Sequence, residues 1–385
     1  MDIDFARPVF DHAERHAVNR VLEGHWLASG KENEAFEREF AEYIGMPHAL
    51  VVNSGSSANL IALASLDIPR GAKVITSGCG FPATLSPIIH LGYEPVLVDY
   101  DRSTFNIDVQ QVVDAMPGAK AVLLAHTMGS PVDMQPIIDA AWKHGALVIE
   151  DCCEALGATI NGKQVGAFGN VGTYSFYPSH QITAGGGGGM VTFHDKQRFN
   201  RAKSLRDWGK LATWDNYGRN NTSYSIDVDG VPYFPHYVYS TVGWNFKLPE
   251  MNCAFGREQM KRMDWIVNER KRNHDYIASR LPDGYFEKHA VVPGANPSWF
   301  GVVLASRYGG RDDIGNMLEK QGIRHRPFFA GNITRHPPFS AYRKHFPVAD
   351  WLMENALFVG CYAGMTQEQL DYIVEGIEHA AAAAA

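Results

Sequence analysis

The sequence is poor in cysteine, in long apolar runs and in clustered positive charge. Its 385 residues include five cysteines, which form no CxxC pair, and we interpret them as reduced core thiols of a cytoplasmic protein. No stretch approaches the ~20 apolar residues that span a bilayer. The first residues, MDIDFARPVFDHAERH, lack the apolar core of a signal peptide. The sequence therefore predicts neither a disulfide framework nor a membrane-spanning protein.

Charge and composition further narrow the classes of protein to which the chain can belong. The formal net charge is −7 and no long basic run occurs, which argues against nucleic acid or an anionic membrane as a partner. Apolar residues make up 45% and charged residues 20%, the profile of a soluble globular protein with a sizeable core. The length exceeds the roughly 100–200 residues of one ordinary domain. We predict a large domain over 1–245 and a smaller α+β C-terminal domain over 246–385.

Short apolar runs alternate with segments of helical period in the first half of the chain. The apolar runs are VITSG (74–78), PVLVD (95–99), AVLLA (121–125) and ALVIED (146–151). The segments of helical period are SSANLIALASL, FPATLSPIIHL, DVQQVVDAM and DMQPIIDAAWKHG. This alternation predicts an α/β fold with a mainly parallel sheet and helices on both faces. Ligands of such sheets gather at the carboxyl ends of the strands.

The pattern changes after residue 203. Residues 204–243 are polar and aromatic, and the segment is too long for an ordinary connection, so we predict an ordered loop that covers a ligand. A long helical pattern over 248–281 follows, and after it come the strand-like segment WFGVVLA and a final helix, EQLDYIVEGIEHA. We place the smaller domain in these later segments.

Two segments carry candidate ligand-binding groups. NSGSSANL (53–60) is a small-residue turn that opens a helix, where free N–H groups and the hydroxyls of Ser56 and Ser57 suit a phosphate. Asp151 ends the strand ALVIED, where a carboxylate either holds a protonated pyridine nitrogen or caps a helix or loop. Taken singly, each segment has an ordinary structural interpretation.

Two further segments lie downstream. VGTYSFYPSHQITAGGGGGMVTF (171–193) predicts a strand, a turn that carries His180, a run of five glycines and a second strand. By itself His180 is a polar turn residue, a metal ligand or a general base. A metal is disfavoured because no second histidine or carboxylate stands at metal-ligand spacing nearby. Asn245 precedes a long helix and suits an N-cap region.

Taken together, the segments indicate a protein family much more specifically than any one of them does. Five features follow one another along the chain: SGSSAN, Phe81 in a βα loop, ED-x-x-[EQ]-A-L-G-A, GTYSFYPS-x and GWN-F-x-L-x-E-M. This order resembles the sugar aminotransferase group of fold-type I pyridoxal phosphate enzymes. The resemblance runs from about residue 25 to residue 365. In that family the residue after SF-[HY]-P-x is the lysine that binds the cofactor covalently. In this chain the position is His180.

The exchange of lysine for histidine determines the predicted activity. Lysine supplies the amine of a Schiff base, whereas an imidazole only accepts and delivers protons near neutral pH. The exchange resembles the 3-dehydratases of nucleotide-linked 4-keto-6-deoxyhexoses. The resemblance implies pyridoxamine or pyridoxal 5′-phosphate held non-covalently by the large domain, and loss of the C3 hydroxyl of the sugar. His180 would be the acid–base group, and Asp151 would keep the ring nitrogen protonated.

The same resemblance implies the remaining site residues. Phe81 would stack on the cofactor ring, and Glu154 would lie near the 3-hydroxyl of that ring. The phosphate would be held by a set of small residues and one asparagine from the partner subunit of a homodimer: Gly55, Ser56, Ser175 and Asn245. The resemblance also implies L-glutamate as the amino donor.

Two departures from the family pattern leave the subclass open. Some 3-dehydratases of this branch carry a [2Fe–2S] cluster whose cysteines follow an SxRDWG segment, but residues 204–225 contain no cysteine. We therefore predict no cluster. The segment FFAGNITRHP nevertheless looks closer to the cluster-bearing enzymes. The family pattern T-x-[AG]-E-G-G is replaced by ITAGGGGGMV, which lacks the glutamate. This loss is compatible with altered cofactor regeneration, with another substrate or with loss of activity.

Two other functions remain open at this point. One is a transaminase-like enzyme acting on another ketone, in which Lys210 or Lys247 reaches the cofactor. The other is a non-catalytic member of the family. Neither the nucleotide nor the hexose is readable from the sequence. A further set of residues has the chemistry to bind a sugar diphosphate or to lie solvated at the surface: Arg324, Arg326, Arg335, Trp208 and Trp299.

Overall fold

A computed structural model describes residues 1–211 and 225–384 of the chain. Residues 212–224, in the middle of the predicted ligand-covering loop, lie outside the described residues. The described strands are β1 His48–Val52, β2 Lys73–Ser77, β3 Glu94–Val98, β4 Ala121–Ala125, β5 Leu147–Asp151, β6 Thr159–Ile160, β7 Lys163–Gln164, β8 Val171–Ser175, β9 Gly189–Phe193, β10 Ile226–Val228, β11 Val231–Tyr233, β12 Ala295–Asn296, β13 Gly301–Ala305, β14 His325–Pro327 and β15 Ala356–Gly360.

A seven-stranded sheet in the order β1-β9-β8-β5-β4-β2-β3 forms the centre of the molecule. Neighbouring strands from β3 to β8 are parallel, and β9 is antiparallel to both β8 and β1. The prediction of a mainly parallel sheet is therefore confirmed. The four predicted strands appear within one residue of their expected bounds.

The helices described are α1 His12–Glu23, α2 Lys31–Ile44, α3 Gly55–Ser65, α4 Pro82–His90, α5 Val109–Ala115, α6 Met134–His144, α7 Lys196–Arg206, α8 Glu250–Met260, α9 Met263–Ala278, α10 Arg311–Lys320, α11 Pro347–Asn355 and α12 Gln367–Ala384. Alternate residues of β4 point to opposite sides of the sheet. Leu123 packs with residues of α3, α4 and α7, and Leu124 packs with residues of α5 and α6. The helices thus cover both faces, as predicted.

The long helical pattern over 248–281 forms two helices, α8 and α9, which separate at Lys261 and Arg262. The prediction of one continuous helical segment was wrong in this respect. The reason is tertiary, because α8 packs on α1 and α2, whereas α9 packs on β13 and α12. One straight helix does not follow both surfaces. The predicted final helix is present as α12.

A second, three-stranded sheet in the order β13-β15-β14 lies in the C-terminal part of the chain. Ile3 pairs with Ile323 beside this sheet, so the first residues of the chain pack on the C-terminal part. The boundary between residues 245 and 246 stays a prediction. Within the described ranges, no helix combines the length and the apolar character that a membrane crossing requires.

The connection between β8 and β9 determines where His180 lies. Ser175, the last residue of β8, pairs with Gly189, the first residue of β9. Residues 176–188 therefore project from the same edge of the sheet at which β5 ends in Asp151. This is the carboxyl edge of the parallel strands, and it also holds the start of α3 after β1.

Candidate active site

A cavity of about 820 Å³ opens at the carboxyl edge of the large sheet. Its walls come from the segments that follow β1, β2, β4, β5 and β8, together with residues of the C-terminal sheet. All but one of the predicted site residues line this cavity: Gly55, Ser56, Phe81, Asp151, Glu154, Ser175 and His180. The exception is Asn245.

The start of α3 forms one wall. Ser54 is the N-cap, and its side chain accepts a hydrogen bond from the Ser57 N–H at 3.1 Å. The first N–H groups of a helix have no partner within the helix, so those of Gly55 and Ser56 are available to an anion. Ser57 itself is buried, and its Oγ accepts from Ser54 Oγ. Of the two serines singled out in the sequence, only Ser56 lines the cavity.

Gly55 is required by the close approach of β8. A Cβ at this position would lie 2.7 Å from the Cβ of Ser175 and 2.9 Å from the Sγ of Cys153. The missing side chain leaves the helix N-terminus and the Ser175 hydroxyl side by side. These groups form a concave, donor-rich surface that fits a phosphate.

The Asp151 carboxylate lies on the floor of the cavity and is 6% exposed. Its Oδ2 accepts hydrogen bonds from Asn59 Nδ2 at 2.7 Å and from Thr84 Oγ1 at 3.3 Å, and its Oδ1 accepts from the Cys153 N–H. All three donors are uncharged. No cation pairs with Asp151 in the described part of the chain, so its negative charge is available to a cationic ligand.

Glu154 lies one short turn beyond β5, where its Oε2 accepts a hydrogen bond from the Met128 N–H at 2.8 Å. Burial raises the pKa of the Glu154 carboxyl to about 8, and the nearby Asp151 carboxylate adds to the shift. The side chain is therefore mostly protonated at neutral pH. In that form it has a hydrogen-bond donor to offer to a ligand oxygen.

The Glu154 pKa has a consequence for stability. Between pH 4.5 and 8 the folded protein binds more protons at this site than the unfolded chain, so stability falls as pH rises through this window. We expect Glu154→Gln to remove that loss. Relative to the wild type, the variant should gain on the order of 2–4 kcal/mol between pH 5 and pH 9. Urea unfolding of cofactor-free protein at the two pH values measures the difference.

An exposed glutamate supplies the control for this experiment. Glu94→Gln at the start of β3 removes a carboxyl from the surface and should leave the pH dependence of unfolding unchanged. An equal free-energy difference between Glu154→Gln and wild type at both pH values would contradict a raised Glu154 pKa.

His180 lies in the turn after β8, with its N–H donated to the Tyr177 carbonyl at 2.9 Å. The imidazole packs beside the Phe300 ring, with a centroid distance of 5.3 Å. Its Nδ1 is buried without a hydrogen-bond partner among the described residues, which leaves Nε2 to reach a ligand. Burial lowers the pKa of His180 to about 3, and the positive charge of Arg270 contributes. The imidazole is neutral at physiological pH and able to accept a proton.

The metal-ligand interpretation of His180 receives no support. In residues 1–211 and 225–384, a metal-capable group of side chains occurs only at His126, Glu150 and Cys152. His126 Nδ1 accepts from the Val132 N–H, so Nε2 carries the ring hydrogen and donates to Glu150 at 3.0 Å. Glu150 also accepts from two backbone N–H groups. This buried pair is satisfied internally and supports the ends of β4 and β5.

Phe81 and Asn245 differ in placement. Phe81 is the N-cap residue of α4 and is 60% exposed, with its ring facing the cavity mouth. Asn245 is exposed and pairs through its backbone with Asp207, outside the cavity of its own chain. Its contact with a cofactor in the partner subunit stays a prediction.

The glycine run adopts backbone conformations that favour glycine. Gly185, Gly186 and Gly188 have φ values of 71°, 109° and 119°, a region that side chains rarely adopt. Gly187 and Gly188 line the cavity, and the Gly188 N–H donates to the Asn53 carbonyl at 3.0 Å. The run thus brings bare backbone against the wall that begins α3, with no carboxylate in it.

No lysine lines the cavity among the described residues. Lys210 and Lys247 both lie beside Asp207, with Nζ–Oδ1 distances of 3.6 and 3.0 Å. Both also contact the face of Trp208. The described geometry therefore does not support the alternative in which one of these lysines reaches a cofactor in the same chain.

Several cavity residues were not singled out from the sequence. Asn59 lies four residues after Gly55, on the same face of α3, and helical period alone would have indicated it. Thr84 lies in the first turn of α4 after Phe81. Tyr177 is 61% exposed and belongs to the quoted GTYSFYPS motif. Phe5 carries no such signal, because only tertiary packing brings it to the cavity, whereas Arg326, already a candidate for a sugar diphosphate, lines the cavity from the C-terminal sheet.

The residues fit a pyridoxal-type cofactor. The sterically required Gly55, the available N–H groups of α3 and the Ser175 hydroxyl match a phosphate. The unpaired Asp151 carboxylate matches a protonated ring nitrogen, and the exposed Phe81 ring offers a stacking surface. Protonated Glu154 matches a phenolate oxygen. These donors, acceptors and surfaces occur together in one cavity of sufficient size.

Comparison with known proteins gives consistent matches over nearly the whole chain. The model of the DegT/DnrJ/EryC1/StrS aminotransferase family matches residues 8–378. The lipopolysaccharide biosynthesis protein RfbH of Salmonella typhimurium is 38% identical, over 94% of this chain and 87% of that protein. The dTDP-4-dehydro-2,6-dideoxy-D-glucose 3-dehydratase of Saccharopolyspora spinosa is 35% identical, over 96% of this chain and 84% of that protein.

A solved structure agrees as well. GDP-4-keto-6-deoxymannose-3-dehydratase with a trapped PLP-glutamate geminal diamine superposes with a TM-score of 0.88. It is 26% identical and covers 98% of this chain and 100% of its own. The resemblance to 3-dehydratases that the sequence motifs indicated is thereby confirmed.

Proposed function

Because the chain belongs to the DegT/DnrJ/EryC1/StrS aminotransferase family, with its fold-type I architecture, we propose that it is a nucleotide-sugar 3-dehydratase. The proposed substrate is a nucleotide-linked 4-keto-6-deoxyhexose, and the proposed reaction removes its C3 hydroxyl. One observation carries the proposal. His180 occupies the position of the cofactor-binding lysine, and no lysine replaces it in the described part of the cavity.

The cofactor of this family is pyridoxal 5′-phosphate or its amine, pyridoxamine 5′-phosphate. We assign its phosphate to Gly55, Ser56 and Ser175. The ring nitrogen is assigned to Asp151, and the ring face to Phe81. Glu154 faces the ring hydroxyl in this assignment. When bound, the amine form supplies a nitrogen that condenses with a ketone and a ring that delocalises electron density during C–O cleavage.

The protein groups have distinct tasks in the proposed mechanism. Neutral His180 accepts a proton through Nε2 and returns it later, which requires an imidazole that is not already protonated. Asp151 stabilises positive charge at the ring nitrogen, held in place by Asn59 and Thr84. Glu154 donates a hydrogen bond in its protonated form. As the C3–O bond breaks, the departing hydroxyl takes the proton held by His180 and leaves as water.

The reducing equivalents come from L-glutamate in this proposal. One sugar and one glutamate give the 3-deoxy sugar, 2-oxoglutarate and ammonia, which balances the loss of one oxygen. A [2Fe–2S] cluster is not part of the proposal. Four of the five cysteines are buried, and of the five only Cys79 and Cys153, which follow different strands, line the cavity.

A homodimer with shared sites is the proposed assembly. Asn245 lies on the surface, outside its own cavity, and the neighbouring Val242 is 90% exposed. Tyr237 and Tyr239 are also exposed by more than half. An apolar surface around Asn245 is consistent with a partner subunit that covers it.

Arg326 is the proposed contact for the substrate diphosphate. It lines the cavity, has no carboxylate partner among the described residues and lies 5.1 Å from the centroid of the Phe5 ring. By contrast, Arg324 pairs with Glu319 and Arg335 pairs with Asp350. Neither of those two arginines lines the cavity, and neither do Trp208 and Trp299.

The proposed function is tested directly by mass spectrometry of the sugar. Protein loaded with pyridoxamine 5′-phosphate receives a 4-keto-6-deoxyhexose nucleotide and glutamate, without a reductase. We expect a product that lacks one oxygen, together with stoichiometric 2-oxoglutarate. Omission of glutamate should limit product to about one equivalent of cofactor, because the amine form is then not regenerated.

Other outcomes separate the alternatives. A product in which an amine replaces the ketone would indicate an aminotransferase, an activity in keeping with the family description. In that case borohydride reduction and peptide mapping would reveal a covalent adduct on a lysine. Tight cofactor binding without turnover of GDP-, CDP- or dTDP-linked keto sugars would indicate a non-catalytic member.

A further inference from the structure

A buried arginine lies behind the turn that carries His180. Arg270 of α9 is 3% exposed. Its Nη2 donates to the carbonyls of His180 at 2.8 Å and Ser179 at 3.4 Å, and its Nη1 donates to those of Trp299 at 3.1 Å and Phe300 at 3.4 Å. One guanidinium thus joins the turn after β8 to the segment that enters β13.

Arg270 is unusual in lacking a carboxylate partner. Buried arginines are rare unless an acid neutralises them, because a desolvated charge is costly. Among residues 1–211 and 225–384, the Arg270 guanidinium donates to four backbone carbonyls and contacts the buried Cys361 thiol, and no carboxylate forms an ion pair with it. Its charge is compensated by dipoles and stays a net positive charge beside the turn.

We propose that Arg270 is a positioning residue for His180: its guanidinium holds the turn against β13, and its positive charge disfavours an imidazolium beside it. The role as a base rests on the proposed function, but the charge state of the imidazole does not. The same residue would thus fix the place of the acid–base group and add to the effect of burial on its protonation.

The hydrogen bonds of the turn show why a support is needed. The His180 imidazole has a buried Nδ1 without a partner in the described residues, so no side-chain hydrogen bond orients the ring. Its position depends on the backbone of the turn and on packing against Phe300. Arg270 bonds to the carbonyls of both residues, which couples the imidazole to the ring that it packs on.

Other ionisable groups face the same cavity from the surrounding elements. They are Cys79 after β2, Tyr100 after β3, His126 after β4, Asp151, Cys153 and Glu154 at and after the end of β5, Tyr177 in the turn itself and Arg326 on β14. Negative charge on Asp151 favours a protonated imidazole, whereas Arg270 opposes it. Burial is the largest cause of the lowered His180 pKa, and Arg270 is the next. Removal of the arginine charge should therefore shift the balance toward the imidazolium.

The test is an NMR titration of histidine in the cofactor-free chain. With ¹³Cε1-labelled histidine, the His180 resonance among 16 histidines is assigned by its absence in His180→Asn. In Arg270→Met we expect the His180 midpoint to rise by about one pH unit or more. Arg270→Lys keeps the charge and should retain a midpoint near that of the wild type. Lys271→Met, on the exposed side of α9, is the matched control and should not shift it.

The variants separate charge from structural support. If Arg270→Met does not fold, Arg270→Gln replaces it, with near-ultraviolet circular dichroism as the check of folding. Equal His180 midpoints in wild type and in the folded uncharged variant would overturn the electrostatic part of the proposal. A midpoint raised in Arg270→Lys as much as in Arg270→Met would also overturn it, because loss of geometry alone would then explain the shift.

Turnover provides the second readout. In Arg270→Met the acid limb of the kcat/KM profile should move to higher pH by the same amount as the NMR midpoint. An unchanged acid limb together with a shifted midpoint would reject His180 as the base and leave the electrostatic inference standing. A shifted limb with an unshifted midpoint would assign the limb to a group other than His180 and would overturn the electrostatic part of the proposal.

Discussion

Replacement of His180 by asparagine should lower turnover of the keto sugar by about 10²–10⁴-fold, the usual contribution of a positioned acid–base group. Asparagine has a similar size and polarity but does not accept a proton at neutral pH. The groups assigned to the cofactor phosphate and ring nitrogen lie on other segments, at Gly55, Ser175 and Asp151. Cofactor affinity should therefore change by less than about threefold.

Two measurements check this prediction: single-turnover product formation by mass spectrometry, and the dissociation constant of pyridoxamine 5′-phosphate by fluorescence. His194→Asn is the control, because His194 is exposed, contacts the Ala167 carbonyl and lies outside the cavity. Full activity in His180→Asn would remove His180 from the mechanism. Loss of cofactor binding in parallel with activity would instead assign it to binding.

Replacement of Asp151 by asparagine should produce the second large effect, a decrease in kcat of about 10²–10³-fold. The carboxylate is the negative charge placed to keep the ring nitrogen protonated, and an amide is neutral. Asn59 Nδ2 now donates to Asp151 Oδ2 at 2.7 Å. In the variant the amide oxygen of the new asparagine can accept this hydrogen bond, so the pocket stays close to its original shape.

The absorbance spectrum of bound pyridoxal 5′-phosphate reports the state of the ring nitrogen, and kcat reports its catalytic use. Both should change in Asp151→Asn. The matched control is Asp139→Asn on the exposed side of α6, where the carboxylate accepts a hydrogen bond from Gln135. An unchanged spectrum and an unchanged kcat would refute the assignment of Asp151 to the ring nitrogen. A binding defect without a change in kcat would make Asp151 a binding residue only.

Asn59 links these results to the scaffold. It holds Asp151 through Nδ2 and accepts a hydrogen bond from Thr173 Oγ1 at 2.6 Å through Oδ1. The amide therefore connects α3, the end of β5 and the parallel neighbour β8. Both of its polar ends are used inside a buried site, which restricts the orientation of the carboxylate before any ligand binds.

Local sequence was sufficient for much of the fold and for most of the site. Alternation of apolar runs and helical segments predicted β2 to β5, because each buried parallel strand reads as a short continuous apolar run. Chain order then placed Asp151 and His180 at the carboxyl edge of the sheet, because Asp151 ends β5 and His180 follows β8. The exchange of lysine for histidine needed no structure at all, because it is a property of one position in a motif.

Tertiary structure decided what periodicity does not encode. Arg270 is 90 residues from His180 in sequence, and only the packing of α9 behind the turn brings its guanidinium to the His180 carbonyl. Tertiary packing also brings Arg326 to the cavity from the C-terminal sheet. It places Lys210 and Lys247 beside Asp207, outside the cavity. A hydrophobic pattern reports whether a residue is buried within its own element. Which elements meet, and which charges are left without a partner, depends on three-dimensional packing across the whole chain.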